Sequence, residues 1–133
     1  MVSIYHNPRC SKSRETLALL QELRPKGIVH CFSGSAEMAA EIVKLGMYVG
    51  FTGVVTFKNA RRVLEAAAVV PLDRLLIETD CPYMAPEPYR GKRCDSSMLP
   101  GVVAVLAGVK GVEPQTLAQA TYENARCVYG VYS

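Results

Sequence analysis

The stretch RLLIETDCPY (74–83) decides how this chain is read. Its run Leu75-Leu76-Ile77 is continuously apolar, which suits a strand buried on both faces, as in a parallel sheet. The predicted strand runs from Arg74 to Thr79 and carries Glu78 and Asp80 at its end. Residues two apart on a strand leave the same side of it. Two carboxylates on one side of a buried strand are costly unless a cation or hydrogen bonds meet them. Asp80 has two readings: it caps the turn before Pro82, or it is a metal ligand and general base.

Working outward, the strand-then-helix form recurs upstream. Val2 to His6 is a predicted strand, and Ser11 to Leu23 a helix with Ser11 or Ser13 as its cap and Glu15 in its first turn. Arg24-Pro25-Lys26-Gly27 stops it. Gly27 to Phe32 is the second strand, Ser33-Gly34-Ser35 a turn, and a helix from Ser35 ends near Gly46. Met47 to Phe51 is the third strand, and Lys58 to Val70 a helix ended by Pro71. After the fourth strand comes a Pro-rich loop from Cys81 to about Asp95, then helices near Ser97 to Val109 and Pro114 to Val128, with Pro114 suited to a first turn. Four βα units plus one extra C-terminal helix predict an α/β fold with a parallel sheet. The expected architecture is half of a TIM-type barrel; the alternative is an open four-stranded, flavodoxin-like sheet. In both, chemistry belongs at the C-terminal ends of the strands. Half a barrel leaves two sheet edges and an apolar inner face uncovered, so self-association of two copies is expected.

The 133 residues are 50% hydrophobic and 20% charged, the balance of one soluble domain over residues 1–133. No apolar run of about 18 residues is present, so no membrane span is expected. The start MVSIYHNPRCSKSRETL lacks the features of a signal peptide, and a cytoplasmic protein is the default. A net charge of +3 is too mild for a strong nucleic-acid footprint. The cluster Arg90-Gly91-Lys92-Arg93 is the place where phosphate contact is expected. Tyr83, Tyr89 and Arg90 sit in the loop after the fourth strand, where they either shape a substrate site or form solvated surface. The five cysteines form no CxxC pair and are expected as free thiols. Cys31, Cys81 and Cys127 read as small apolar fillers.

The two histidines, His6 and His30, both fall at predicted strand ends, as do Glu78 and Asp80. Imidazole nitrogens with carboxylate oxygens form a ligand set for zinc, manganese or iron, and such a metal activates water and polarises phosphoryl oxygens. The competing reading of each histidine is a hydrogen-bonded core residue. Cys10 offers other chemistry: a thiol before a helix N-terminus is a better nucleophile, and Arg14 with free N–H groups would hold an oxyanion there.

The segments GIVHCFSGS (27–35), YVGFTGVVTFKNA (48–60), PLDRLLIETDCPYMAPEPYRGKR (71–93) and TYENARCVYG (121–130) resemble the C-terminal half of TatD-family metal-dependent deoxyribonucleases. IYHNPRCSKSRETLALL (4–20) is similar to the start of arsenate-reductase-like proteins, whose active-site cysteine and loop arginine match Cys10 and Arg14. The chain therefore reads as a chimera, arsenate-reductase-like over residues 1–24 and TatD-like over 25–133, joined near 21–26. The TatD resemblance implies that the four units stand for barrel strands five to eight. It implies His6, His30 and Asp80 as ligands of a divalent metal (zinc, manganese or magnesium), with Glu78 and Asp80 as the acidic catalytic residues. It also implies that the family's first-strand His-x-His pair and mid-barrel glutamate have no counterpart here. The expectation is a folded half barrel with an incomplete site and no efficient catalysis. The alternatives are a weak metal-dependent phosphodiesterase acting on nucleic acid or another phosphodiester, and arsenate-reductase-like thiol chemistry at Cys10.

Overall fold

The computed structural model describes residues 2–4, 15–16, 18–19, 22–23 and 26–131. Four parallel strands form one sheet: β1 (Val2–Ile4), β2 (Gly27–Val29), β3 (Tyr48–Phe51) and β4 (Leu75–Ile77). Their order is β1-β2-β3-β4. Val29 lies opposite Val49, and Gly50 opposite Leu76. This order corrects the flavodoxin-like alternative, which needs a point where strand order reverses. Here each strand pairs with the next one in the chain.

The helices that follow are α1 (Ala36–Lys44), α2 (Arg61–Val69), α3 (Leu99–Lys110) and α4 (Pro114–Tyr129). In the first unit the described residues at 15–16, 18–19 and 22–23 are also helical. Ser35 caps α1, its hydroxyl accepting from the Met38 N–H at 3.2 Å. Gly111 ends α3 in the left-handed conformation, φ 65°, which glycine adopts without a Cβ penalty. The Lys110 ammonium donates to the carbonyls of Ala68 and Val70 at 3.0 and 2.7 Å. It thereby closes the open end of α2 from a neighbouring helix.

Alternation along the strands divides the sheet into two faces. Val29, Val49, Phe51 and Leu75 face the helices and join Ile42, Ala66, Leu106 and Leu117 in one buried cluster. Phe32 meets Phe51 edge-on, with ring centroids 6.1 Å apart. The opposite face carries Ile28, Gly50 and Leu76, and past the strand ends His30 and Glu78. Among the described residues no single helix is long and apolar enough to cross a membrane.

The strands are shorter than their apolar runs predict. The second, expected to reach Phe32, stops at Val29 because Cys31 adopts a left-handed backbone, φ 50°. Ladder bonding resumes beyond this turn, where the Phe32 N–H donates to the Gly50 carbonyl at 2.9 Å. The fourth ends at Ile77 rather than Thr79, yet the Glu78 N–H still donates to the Phe51 carbonyl at 2.8 Å. These two bonds hold His30 and Glu78 on either side of Gly50.

Asn124 on α4 fixes the entry to β4. It is 7% exposed, and its amide donates to the carbonyls of Leu72 and Leu75, both at 2.8 Å. Replacing it leaves two acceptors unpaired, at least one of them buried. Asn124→Leu is expected to lower stability by about 2 kcal/mol in urea unfolding, with an unchanged denaturant slope.

Candidate metal centre

The site lies where the chain leaves β2 and β4. Glu78 follows β4 and reaches across β3 to His30, which follows β2. Its Oε2 accepts from His30 Nδ1 at 2.6 Å and from the Cys31 N–H at 3.1 Å. It passes directly over Gly50, where an added Cβ would stand 2.0 Å from that oxygen. Only a residue without a side chain leaves this path open. The left-handed backbone of Cys31 belongs to the same arrangement, since its N–H is one of the two donors.

Asp80 meets the other side of the imidazole. Its Oδ1 stands 3.7 Å from His30 Nε2. Its backbone carbonyl accepts from the Tyr83 N–H at 2.7 Å. The Asp80 carboxylate faces His30, while its backbone makes the turn that follows. Glu78 and Asp80 thus reach the same ring from opposite nitrogens.

The chemistry of these donors fits a cation. With Nδ1–H given to Glu78, the Nε2 lone pair faces a carboxylate oxygen at a distance too long for a hydrogen bond. In the neutral ring two acceptors then face each other, and a cation between them relieves the repulsion. Two ligands on one divalent ion, each about 2.1 Å from it, are separated by a span that admits 3.7 Å. A carboxylate behind a ligating histidine is the usual outer partner at such sites. Among the described residues, no group of three or more histidine, cysteine or acidic side chains is ready-made to hold a metal. His6, Cys10 and Arg14 lie outside the described residues, so the structure does not bear on them.

Cys31 is buried, as a filler would be, but it has a polar partner: its thiol lies 3.7 Å from the Thr52 hydroxyl. Burial pushes that thiol above the ordinary cysteine value, and the hydrogen bond to Thr52 opposes the shift. Cys81 and Cys127 are exposed, which corrects their reading as apolar fillers. Cys94 is buried, at 3%. Burial raises its thiol first, and the adjacent Cys81 side chain raises it further, by charge and by hydrogen bonding.

The loop after β4 forms a wall beside the site. Thr56 ties it down: its hydroxyl donates to the Gly53 carbonyl at 2.7 Å and accepts from the Glu87 N–H at 2.8 Å. Gly53 lies so close beneath the loop that a Cβ there would meet the Met84 carbonyl at 2.3 Å. The Arg90 guanidinium stacks on Phe57, 4.0 Å from the ring centroid. The loop, with Phe57 and Asp80, encloses a cleft of about 700 Å³, lined also by Tyr83, Arg90, Lys92 and Arg93 among others. Asp80 is the one carboxylate among the lining residues, against three cations. Neither Thr56 nor Phe57 was singled out in the sequence, since their roles depend on a loop some thirty residues away.

Residues 1–130 match the family described as TatD related DNase, and the chain belongs to that family. It is 46% identical over 113 residues to an uncharacterized metal-dependent hydrolase of Escherichia coli K12, YcfH, covering 83% of this chain and 43% of the relative. It is 46% identical over 105 residues to the Bacillus subtilis counterpart YabD, covering 79% and 41%. The chain therefore spans less than half the length of these curated relatives. Among solved structures it resembles the Escherichia coli TatD homologue YJJV with a TM-score of 0.84 and 29% identity, over 98% of this chain and 50% of that one. The fold is also that of a TatD family hydrolase from Entamoeba histolytica, TM-score 0.78 at 23% identity, over 95% of this chain and 49% of that one. The family match begins at residue 1 and takes in the 4–20 segment. A second, arsenate-reductase-like parent and a join near 21–26 thus draw no support.

The Glu78 bridge makes a direct prediction. Gly50→Ala is expected to displace the carboxylate and release the His30 Nδ1 proton to solvent exchange. In proton NMR the downfield imidazole N–H resonance should vanish in Gly50→Ala and in Glu78→Ala, while the folded-state methyl dispersion persists.

Proposed function

We propose that this chain is a metal-dependent phosphodiesterase whose site is built on His30 and Asp80. The carrying observation is the imidazole held by Glu78 on one nitrogen and facing with the other Asp80, which lines a cationic cleft. Membership of the TatD related DNase family and relatives named metal-dependent hydrolases support the same reading. The four strands are read as half of a TIM-type barrel, with the face bearing Ile28, Gly50 and Leu76 as its interior. The sequential parallel order supports this, as do neighbours about twice the length of this chain.

In this reading His30 Nε2 and Asp80 Oδ1 hold a divalent cation (zinc, manganese or magnesium), with His6 as a further ligand. Such an ion, when bound, lowers the pKa of water and polarises a phosphoryl oxygen. Glu78 keeps the His30 proton on Nδ1, so that Nε2 offers its lone pair. Arg90, Lys92 and Arg93 draw the phosphates of the substrate toward Asp80. Phe57 holds the Arg90 fork in place, and Tyr83, 69% exposed, presents a ring on which a base can stack. The substrate class is nucleic acid or another phosphodiester. The chain acts as one domain, is cytoplasmic, and pairs with a second copy through β1 and β4, the outer strands of the described sheet.

Purified protein with manganese or zinc is expected to hydrolyse a phosphodiester such as bis(p-nitrophenyl) phosphate. His30→Ala and Asp80→Ala should each abolish it. Activity absent, or indifferent to both changes, would instead leave a folded half barrel with an incomplete site. Glu78→Gln should weaken metal binding by about 10- to 100-fold in calorimetry. Metal affinity should fall as pH is lowered, because protons compete for the same imidazole nitrogen. Arg90→Ala should raise KM for a single-stranded oligonucleotide more than it lowers kcat, and reduce the salt dependence of binding.

A further inference from the structure

We propose that Cys81 and Cys94 are an oxidisable thiol pair whose disulfide closes the loop beside the cleft. The Cys94 N–H donates to the Pro82 carbonyl at 2.9 Å, which fixes residue 94 against the residue that follows Cys81. The Cys94 side chain is buried, its thiol 3.8 Å from the Asp95 carbonyl, and the Cys81 side chain is exposed, its thiol donating to the Thr79 hydroxyl at 2.9 Å; the Cys81 thiol acts electrostatically on that of Cys94. Both are free thiols. The intervening segment is already folded back on itself by Tyr89 N–H to Pro86 carbonyl and Lys92 N–H to Tyr89 carbonyl bonds, at 2.8 and 2.9 Å. A bond between the two sulfurs therefore joins chain ends that already meet, and disulfide geometry requires that proximity. Among the described residues, Cys31 and Cys127 lie outside this loop, the first after β2 and the second on α4.

The oxidant is a hydroperoxide. The exposed Cys81 sulfur attacks its terminal oxygen; an S–O bond forms, the O–O bond breaks, and an alcohol or water leaves. Cys94 then attacks the Cys81 sulfenic acid; the S–S bond forms, the S–O bond breaks, and water leaves. Two thiols and one hydroperoxide give one disulfide, one alcohol and one water, with two electrons passing from sulfur to oxygen. The disulfide ties both ends of the segment carrying Tyr83, Arg90, Lys92 and Arg93. Its effect on turnover rests on the phosphodiesterase reading; its formation does not.

The test treats the full chain with hydrogen peroxide, blocks remaining thiols with iodoacetamide and maps tryptic peptides by mass. The expected product links peptide 75–90 to peptide 94–110, about 2 Da below their summed mass. It should be absent in Cys81→Ser and in Cys94→Ser, both checked for native circular dichroism. Before mapping, cleavage at Arg90, Lys92 and Arg93 in the intact oxidised protein should slow about tenfold, and dithiothreitol should restore it. Overoxidation of Cys81 without linkage, linkage to another cysteine, or no reaction would each overturn the proposal. Linked peptides in a protein without phosphodiesterase activity would sink the functional reading alone. Activity without linkage would sink this proposal alone.

Discussion

A carboxylate that leaves one strand, crosses its neighbour and binds the next is the constraint around which the site is arranged. Glu78 is only 14% exposed in its side chain, so its charge has to be met by donors. It finds them in His30 and in the backbone of Cys31. Three consequences follow from that one demand. Gly50 has no side chain because the carboxylate occupies the space above it. Cys31 turns to positive φ, which ends β2 and aims an N–H at Glu78. His30 is fixed in ring orientation, with its other nitrogen facing Asp80.

The helix-covered face supplies the rigidity this arrangement requires. Val49, Phe51 and Leu75 are fully buried against α1 to α4. The strand backbones that position Gly50 and Glu78 therefore cannot shift without opening that core. Asn124 and Lys110 add polar ties at points where apolar packing leaves carbonyls open. The face away from the helices carries Ile28 and Leu76, which are buried too, and past the strand ends His30 and Glu78.

The loop from Cys81 to Asp95 joins the two halves of the site. It starts one residue after Asp80, runs over the Gly53–Thr56 turn, and returns to place Cys94 against Pro82. Its cations line the cleft, with Arg90 stacked on the Phe57 ring. Asp80, which faces the carboxylate-bound imidazole of His30, thus lines the same cleft as these cations, an arrangement suited to an anionic substrate.

The periodicity of apolar residues by itself determined the four βα units, the parallel sheet and the placing of His30, Glu78 and Asp80 at strand ends. These depend on neighbours within a few residues, and a local pattern carries them. The lengths of the strands were less legible, because a left-handed Cys31 is set by a carboxylate 47 residues away. Strand order, which separates a sequential sheet from a flavodoxin-like one, leaves no mark on local pattern and was decided by the tertiary structure. So were the exposure of Cys81, the stacking of Arg90 on Phe57 and the crossing of Glu78 over Gly50. In each of these the partners are brought together by β-strand register and a long loop return. Sequence spacing tells which side chains share a face, but only the packed sheet tells which faces meet.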